Sequence, residues 1–154
     1  MREYLDASVF LGVHSKEERI RVVCKNYFVK RLNDKVGMSL EQVGKCDDAI
    51  WKLSREQQDA YYPFMDHLHT IMDIQRVPYT VRDIQEAVAN PQLQELEISD
   101  RLTLGTALAR RTQLYSVNPR LAGRDSVCVP QAGDELTFPE ELERLYQQSL
   151  EVRI

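Results

Sequence analysis

The chain has 154 residues, a formal charge of −4, 43% hydrophobic and 29% charged residues, and 3 cysteines. These proportions exclude wholesale disorder, and the acidity argues against the broad basic surface of a non-specific duplex binder. No run approaches the roughly 20 apolar residues of a membrane span.

Cys24, Cys46 and Cys128 show no CxxC or other metal spacing, which fits a reducing compartment. The opening Met1-Arg2-Glu3-Tyr4-Leu5-Asp6 carries an acid where a signal peptide would carry its apolar region, so a cytoplasmic location is expected. With no repeat and no Gly/Ser/Pro linker, residues 1–154 are expected to form a single domain.

Taken in chain order, Glu3 to Leu5 and the apolar Ala7 to Gly12 predict a buried strand that presents Asp6 to a loop. Residues 17–32 place Ile20, Val23, Cys24, Tyr27, Phe28 and Leu32 at helical spacing. Val36 to Ser39 is a short strand, and Ser39 caps a helix running to about Leu53. Ser54, followed by Glu56 and Gln57, starts another helix that reaches Met72, with Pro63 expected to kink or split it. Thr80 and Asp83 make a capping-box pattern for a helix closed by Asn90-Pro91.

Ser99 caps a helix from Asp100 to Arg111, followed by strands at Leu114–Val117 and Ser126–Val129. Pro139 opens a last helix through Leu142, Leu145 and Leu150. Short apolar strands alternating with helices predict an α/β fold: a three-layer α/β/α sandwich around a mainly parallel central sheet. Chemistry in such sheets gathers beyond the carboxyl ends of the strands, which directs attention to Asp6, Glu41, Asp100 and Asn118.

Asp and Glu also stabilise helix N-termini through the macrodipole, so Glu41 and Asp100 have a purely structural reading. The residues around the acids add a second one. Tyr4-Leu5-Asp6-Ala7-Ser8-Val9-Phe10-Leu11 resembles the opening strand of PIN-domain proteins, an apolar strand followed by Asp, a small residue and Ser or Thr. Ser99-Asp100-Arg101-Leu102-Thr103-Leu104-Gly105-Thr106-Ala107 is similar to their later acid-led helix with small residues along one face. Leu114-Tyr115-Ser116-Val117-Asn118-Pro119 stands where that family has a strand ending in Thr or Ser, any residue, Asp.

The resemblance to this PIN-like family, which includes VapC-type toxins, implies a Mg²⁺- or Mn²⁺-dependent nuclease. Many members are ribonucleases paired with an antitoxin protein, and many form homodimers. Carried onto this sequence, it implies Asp6, Glu41 and Asp100 as carboxylate metal ligands, with Ser8 and Ser116 as hydroxyl support. Asp47 and Asp48 are alternatives to Glu41, which is preferred for its place at the strand's end. RNA is the expected substrate. Asn118 departs from the family's fourth acid, so a degenerate module that binds nucleic acid or a protein partner without cleaving is the alternative, as is a hydrolase of another phosphate ester.

Hard cations take oxygen ligands, and Mg²⁺ usually takes one or two carboxylates with water and phosphate. Two carboxylates 4 Å apart repel by about 4 kcal/mol at an effective dielectric of 20, so converging acids need a positive charge or a raised pKa. Arg110, Arg111, Arg120, Arg124 and Lys45 are candidates for a phosphate-binding rim, and Arg120 and Arg124, which follow the Asn118 corner, are the ones expected there. His14 reads as a solvated loop histidine, and Cys46 as the most exposed cysteine. Trp51, Tyr61, Tyr62 and Phe64 read as core or a dimer face.

Overall fold

A computed structural model describes residues 3–154, so Met1 and Arg2 of the N-terminal reading lie outside the described residues. The elements are β1 (Glu3–Leu5), α1 (Ala7–Gly12), α2 (Glu18–Val29), β2 (Lys35–Ser39), α3 (Leu40–Trp51), α4 (Arg55–Ile71) and β3 (Asp73–Val77). They continue as α5 (Val81–Ala89), α6 (Ile98–Ala109), β4 (Gln113–Tyr115), β5 (Val127–Cys128) and α7 (Glu140–Ser149). A 3₁₀ turn, Pro91–Leu93, separates α5 from α6.

The five strands form one sheet in the order β3-β2-β1-β4-β5, and every neighbouring pair is parallel. The expected three-layer α/β/α architecture is therefore what the chain adopts. Period-two alternation divides the sheet's side chains between two cores. Leu5, Val36 and Met38 join the larger core with residues of α1, α2, α3, α4 and α7. Tyr4 and Leu114 join a smaller one with Leu104 and Ala107 of α6. Gly105 is what lets α5 approach α6: a Cβ there would meet the Ala87 backbone nitrogen at 3.0 Å.

Several boundaries differ from expectation. Ala7–Gly12 is a helix, not the continuation of a strand, because the Asp6 side chain accepts the Ser8 N–H and caps it. Pro63 neither kinks nor splits the helix, and α4 runs unbroken from Arg55 to Ile71. Asp59 and Pro63 are both exposed, so the carbonyl that loses its N–H partner lies on the solvent side. The edge strand β3 escaped the sequence reading, since Asp73-Ile74-Gln75-Arg76-Val77 mixes polar and apolar side chains and is only half-buried. Helix α6 starts at Ile98, before Ser99, leaving the Ser99 hydroxyl free for another partner.

Two single-residue expectations also fail. His14 is fully buried, ringed by Tyr61, Phe64 and Tyr146, and Cys46 is buried whereas Cys128 is half-buried. Of the aromatic group, Tyr61 and Phe64 are core, while Trp51 and Tyr62 are exposed. Among the described residues no helix is long and apolar enough to cross a membrane.

Candidate active site

The chain leaves β1 toward one side of the sheet to build β2 and β3, then returns to build β4 and β5 on the other. β1 and β4 thus flank the point where strand order reverses, and a crevice opens beyond their carboxyl ends. It measures about 320 Å³ and is lined by Asp6, Ser8, Gln42, Lys45, Asp100, Thr103, Asn118 and Arg120, among others.

Asp6 sits directly after β1 and is buried. Its carboxylate accepts the Ser8 N–H at 3.0 Å, the Ser8 hydroxyl at 2.5 Å and the Ser116 hydroxyl at 2.5 Å. Burial pushes its pKa up, against the opposing pull of the Ser116 and Ser8 hydroxyls. The two serines also lock the loop after β4: Ser8 Oγ accepts the Val117 N–H at 2.9 Å, and Ser116 Oγ accepts the Asn118 N–H at 3.0 Å.

Asp100 lies in the first turn of α6, where the macrodipole favours an acid, and it too is buried. Arg120 Nε donates to it at 2.7 Å and Asn118 Nδ2 at 3.3 Å. Asn118 Oδ1 turns the other way and accepts the Arg120 backbone N–H at 3.0 Å. Lys45 lines the same crevice, with its ammonium on the Ser99 hydroxyl.

The crevice therefore gathers Asp6, Ser8, Asp100, Asn118 and Arg120, with Ser116 behind Asp6. Glu41 is not among its lining residues: its carboxylate accepts the Ser99 hydroxyl at 2.9 Å and the Tyr79 hydroxyl at 3.1 Å. Asp48 is exposed and paired with Lys52 at 2.9 Å, and Asp47 lines a different cavity. Arg124 pairs with Glu95 at 2.5 Å, away from the crevice.

Helix α3 presents Gln42 and Lys45 to the crevice, and Gln42 is the one that the sequence reading passed over. Its Oε1 accepts the Ala7 N–H at 2.9 Å, and its Nε2 donates to Thr103 Oγ1 at 3.0 Å. A signal was available, because Gln42 stands at N3 behind the Ser39 cap, a position whose side chain reaches back toward the helix start. Glu41 is one residue, about 100°, around the helix from it.

A resident Mg²⁺ or Mn²⁺ needs free acceptor oxygens and local negative charge. Here the amide oxygens of Gln42 and Asn118 are committed to backbone N–H groups, and both carboxylates already receive internal donors. Lys45 and Arg120 balance Asp6 and Asp100 in formal charge. No group of three or more His, Cys, Asp or Glu side chains able to hold a metal occurs among the described residues. In this arrangement the residues do not fit a resident divalent ion.

Comparison with solved structures finds a toxin–antitoxin complex from Klebsiella pneumoniae, with TM-score 0.58 and 17% identity over 84% of this chain and 98% of that one. It also finds VapBC2 from Rickettsia felis bound to a DNA fragment from their promoter, with TM-score 0.60 and 12% identity over 84% of this chain and 97% of that one. At these identities the likeness is one of fold, and the fold is PIN-like. No curated protein matches. By sequence, residues 1–154 match throughout the group described as "Family of unknown function (DUF6190)", and the chain belongs to that family.

Proposed function

We propose that this chain is a single PIN-like module that binds RNA at the Asp6–Asp100 crevice without hydrolysing it through a bound metal ion. The observation that carries the reading is the charge balance of the lining: the two carboxylates share the crevice with two cations, Lys45 and Arg120, while Gln42 and Asn118 supply amides. Phosphate is met by the Lys45 ammonium and by the Arg120 guanidinium, whose side chain is 62% exposed although it rests on Asp100. Asn118 Nδ2 keeps one N–H beyond its bond to Asp100, a donor for a ribose hydroxyl oxygen. The toxin–antitoxin neighbours support a protein partner of antitoxin type, and the exposed Trp51 at the end of α3 is the residue we assign to that surface or to a homodimer.

A second reading, a Mg²⁺- or Mn²⁺-dependent ribonuclease with Asp6 and Asp100 as ligands, is favoured by the presence of both acids in one crevice, Asp6 after β1 and Asp100 in the first turn of α6. Single-stranded RNA followed by anisotropy and by gel distinguishes the two. The binding reading expects affinity that survives EDTA, weakens with salt, and drops in Lys45→Ala and Arg120→Ala with a salt slope lower by about one per residue. Mn²⁺-dependent cleavage that disappears in Asp6→Asn would overturn it and establish the ribonuclease.

A further inference from the structure

A second cavity, of about 230 Å³, lies between α1, α3, α4 and the β2–β3 edge of the sheet and shares no lining residue with the RNA crevice. Phe10, Met38, Ile50, Tyr61 and Met65, all buried, form its floor. Apolar side chains make poor partners for water, so a space of this kind favours an organic occupant.

The rim has a different character. Asp47 and Asp66 are exposed at the mouth and make no ion pair or hydrogen bond among the described residues. Of the other exposed acids of these two helices, Asp48 pairs with Lys52 at 2.9 Å and Asp59 with Arg55 at 3.1 Å, while Glu56 at the start of α4 makes no such contact among the described residues. His69 also lines the mouth, and its Nδ1 lies 2.8 Å from the Met65 carbonyl. That contact requires Nδ1 to carry the proton, so the neutral ring keeps Nε2 as an acceptor. Among the described residues Arg76 is the one cation lining this cavity, against the two carboxylates of Asp47 and Asp66.

We propose that this cavity binds a small primary amine with an apolar body, the body on the Phe10–Tyr61–Met65 floor and the ammonium at Asp47 and Asp66. A 150 Å³ apolar cavity holds benzene, so 230 Å³ scales to an occupant of about nine non-hydrogen atoms. An ammonium group at the mouth finds carboxylate acceptors on both flanking helices, Asp47 of α3 and Asp66 of α4.

The probe pair is 2-phenylethylamine and its neutral isostere 2-phenylethanol, titrated by calorimetry into the full chain. Amide chemical shifts of α3, α4 and β3 report the place of binding. The amine is expected to bind about tenfold more tightly than the alcohol, the scale of two partly exposed ion pairs. In Asp47→Asn/Asp66→Asn that preference should fall to about twofold or less. In the charge-matched control Asp48→Asn/Asp59→Asn it should persist. The proposal is overturned if the amine does not bind, if the alcohol binds as well as the amine, or if the preference survives loss of Asp47 and Asp66. All four substituted acids are exposed, so the melting temperature of each variant checks that the fold is intact.

Discussion

Gln42 Oε1 accepts the Ala7 N–H at 2.9 Å, tying the first turn of α3 to the start of α1 across the mouth of the crevice. A carboxylate could accept the same bond but would add a negative charge beside buried Asp6. The neutral amide thus keeps the geometry while setting the charge, and Asn118 does the same beside Asp100.

Converting both amides to acids tests this directly. Gln42→Glu with Asn118→Asp lowers the formal charge of the crevice by two, while the Thr103 and Asp100 hydrogen bonds made by the amide nitrogens are lost. Without metal the double variant should be about 1–3 kcal/mol less stable in urea unfolding. It should also bind Mn²⁺ in calorimetry, where the unchanged chain gives no binding signal. A double variant that fails to bind Mn²⁺ would show that the amides are not what holds a cation off.

Asp6 carries a pH signature. Burial raises its folded-state pKa above the ordinary 3.8, so its contribution to stability is fully present below 3.8 and is lost as pH rises through the folded value. Losing the Asp6 proton therefore works against the fold, because burial opposes the charged form. The melting temperature of Asp6→Asn relative to the unchanged chain should rise as pH rises from 3.8. A relative melting temperature that stays flat or falls with pH would refute this account.

His14 acts in the opposite sense. The Ser149 hydroxyl donates to the Tyr146 carbonyl at 2.6 Å, so His14 Nε2, 2.7 Å from Ser149 Oγ, is the protonated nitrogen. Nδ1 is buried with no hydrogen-bond partner among the described residues, and a second proton there would find no acceptor among them. Burial first, then Arg153 and Arg21, lower its pKa from 6.5 to about 3. This stability is present above 6.5 and is lost as pH falls toward 3, by up to about 1.4 kcal/mol per pH unit. His14→Phe should flatten urea-unfolding free energies between pH 7.5 and pH 5, and an unchanged slope would count against it.

Gly105→Ala should cost about 1–3 kcal/mol, because its Cβ meets backbone of α5 rather than a side chain that can swing away. Amide hydrogen exchange should accelerate in Val81–Ala89 more than in the α3 and α4 region, since α5 packs chiefly on α6. Uniform acceleration across the chain would instead indicate a general loss of stability.

Most of the secondary structure was legible because its signals are local. The Ser54–Gln57 and Thr80–Asp83 capping boxes start helices where the spacing predicts. The apolar strands around Tyr4, Val36 and Leu114 share a central parallel sheet. Signals failed where a single residue had two local uses. Asp6 both ends a strand and caps a helix, so Ala7–Gly12 read as sheet. Strand β3 pairs on one side only and lacks an apolar pattern that would mark it.

By itself, the sequence determined the α/β alternation, the parallel sheet, and the arrival of Asp6 at the end of a strand and of Asp100 at the start of a helix, all consequences of period, capping and chain order. Length and a charge of −4 left the character of the crevice open. Only the tertiary structure decided that α3 turns Gln42 toward Asp6 while Glu41 goes to Tyr79 and Ser99. It likewise decided that Arg120 falls back onto Asp100 and that Arg124 departs to Glu95. The physical reason is angular: one residue along a helix is about 100° of rotation. Which side chain faces a shared crevice depends on how whole elements pack, and no local spacing carries that information.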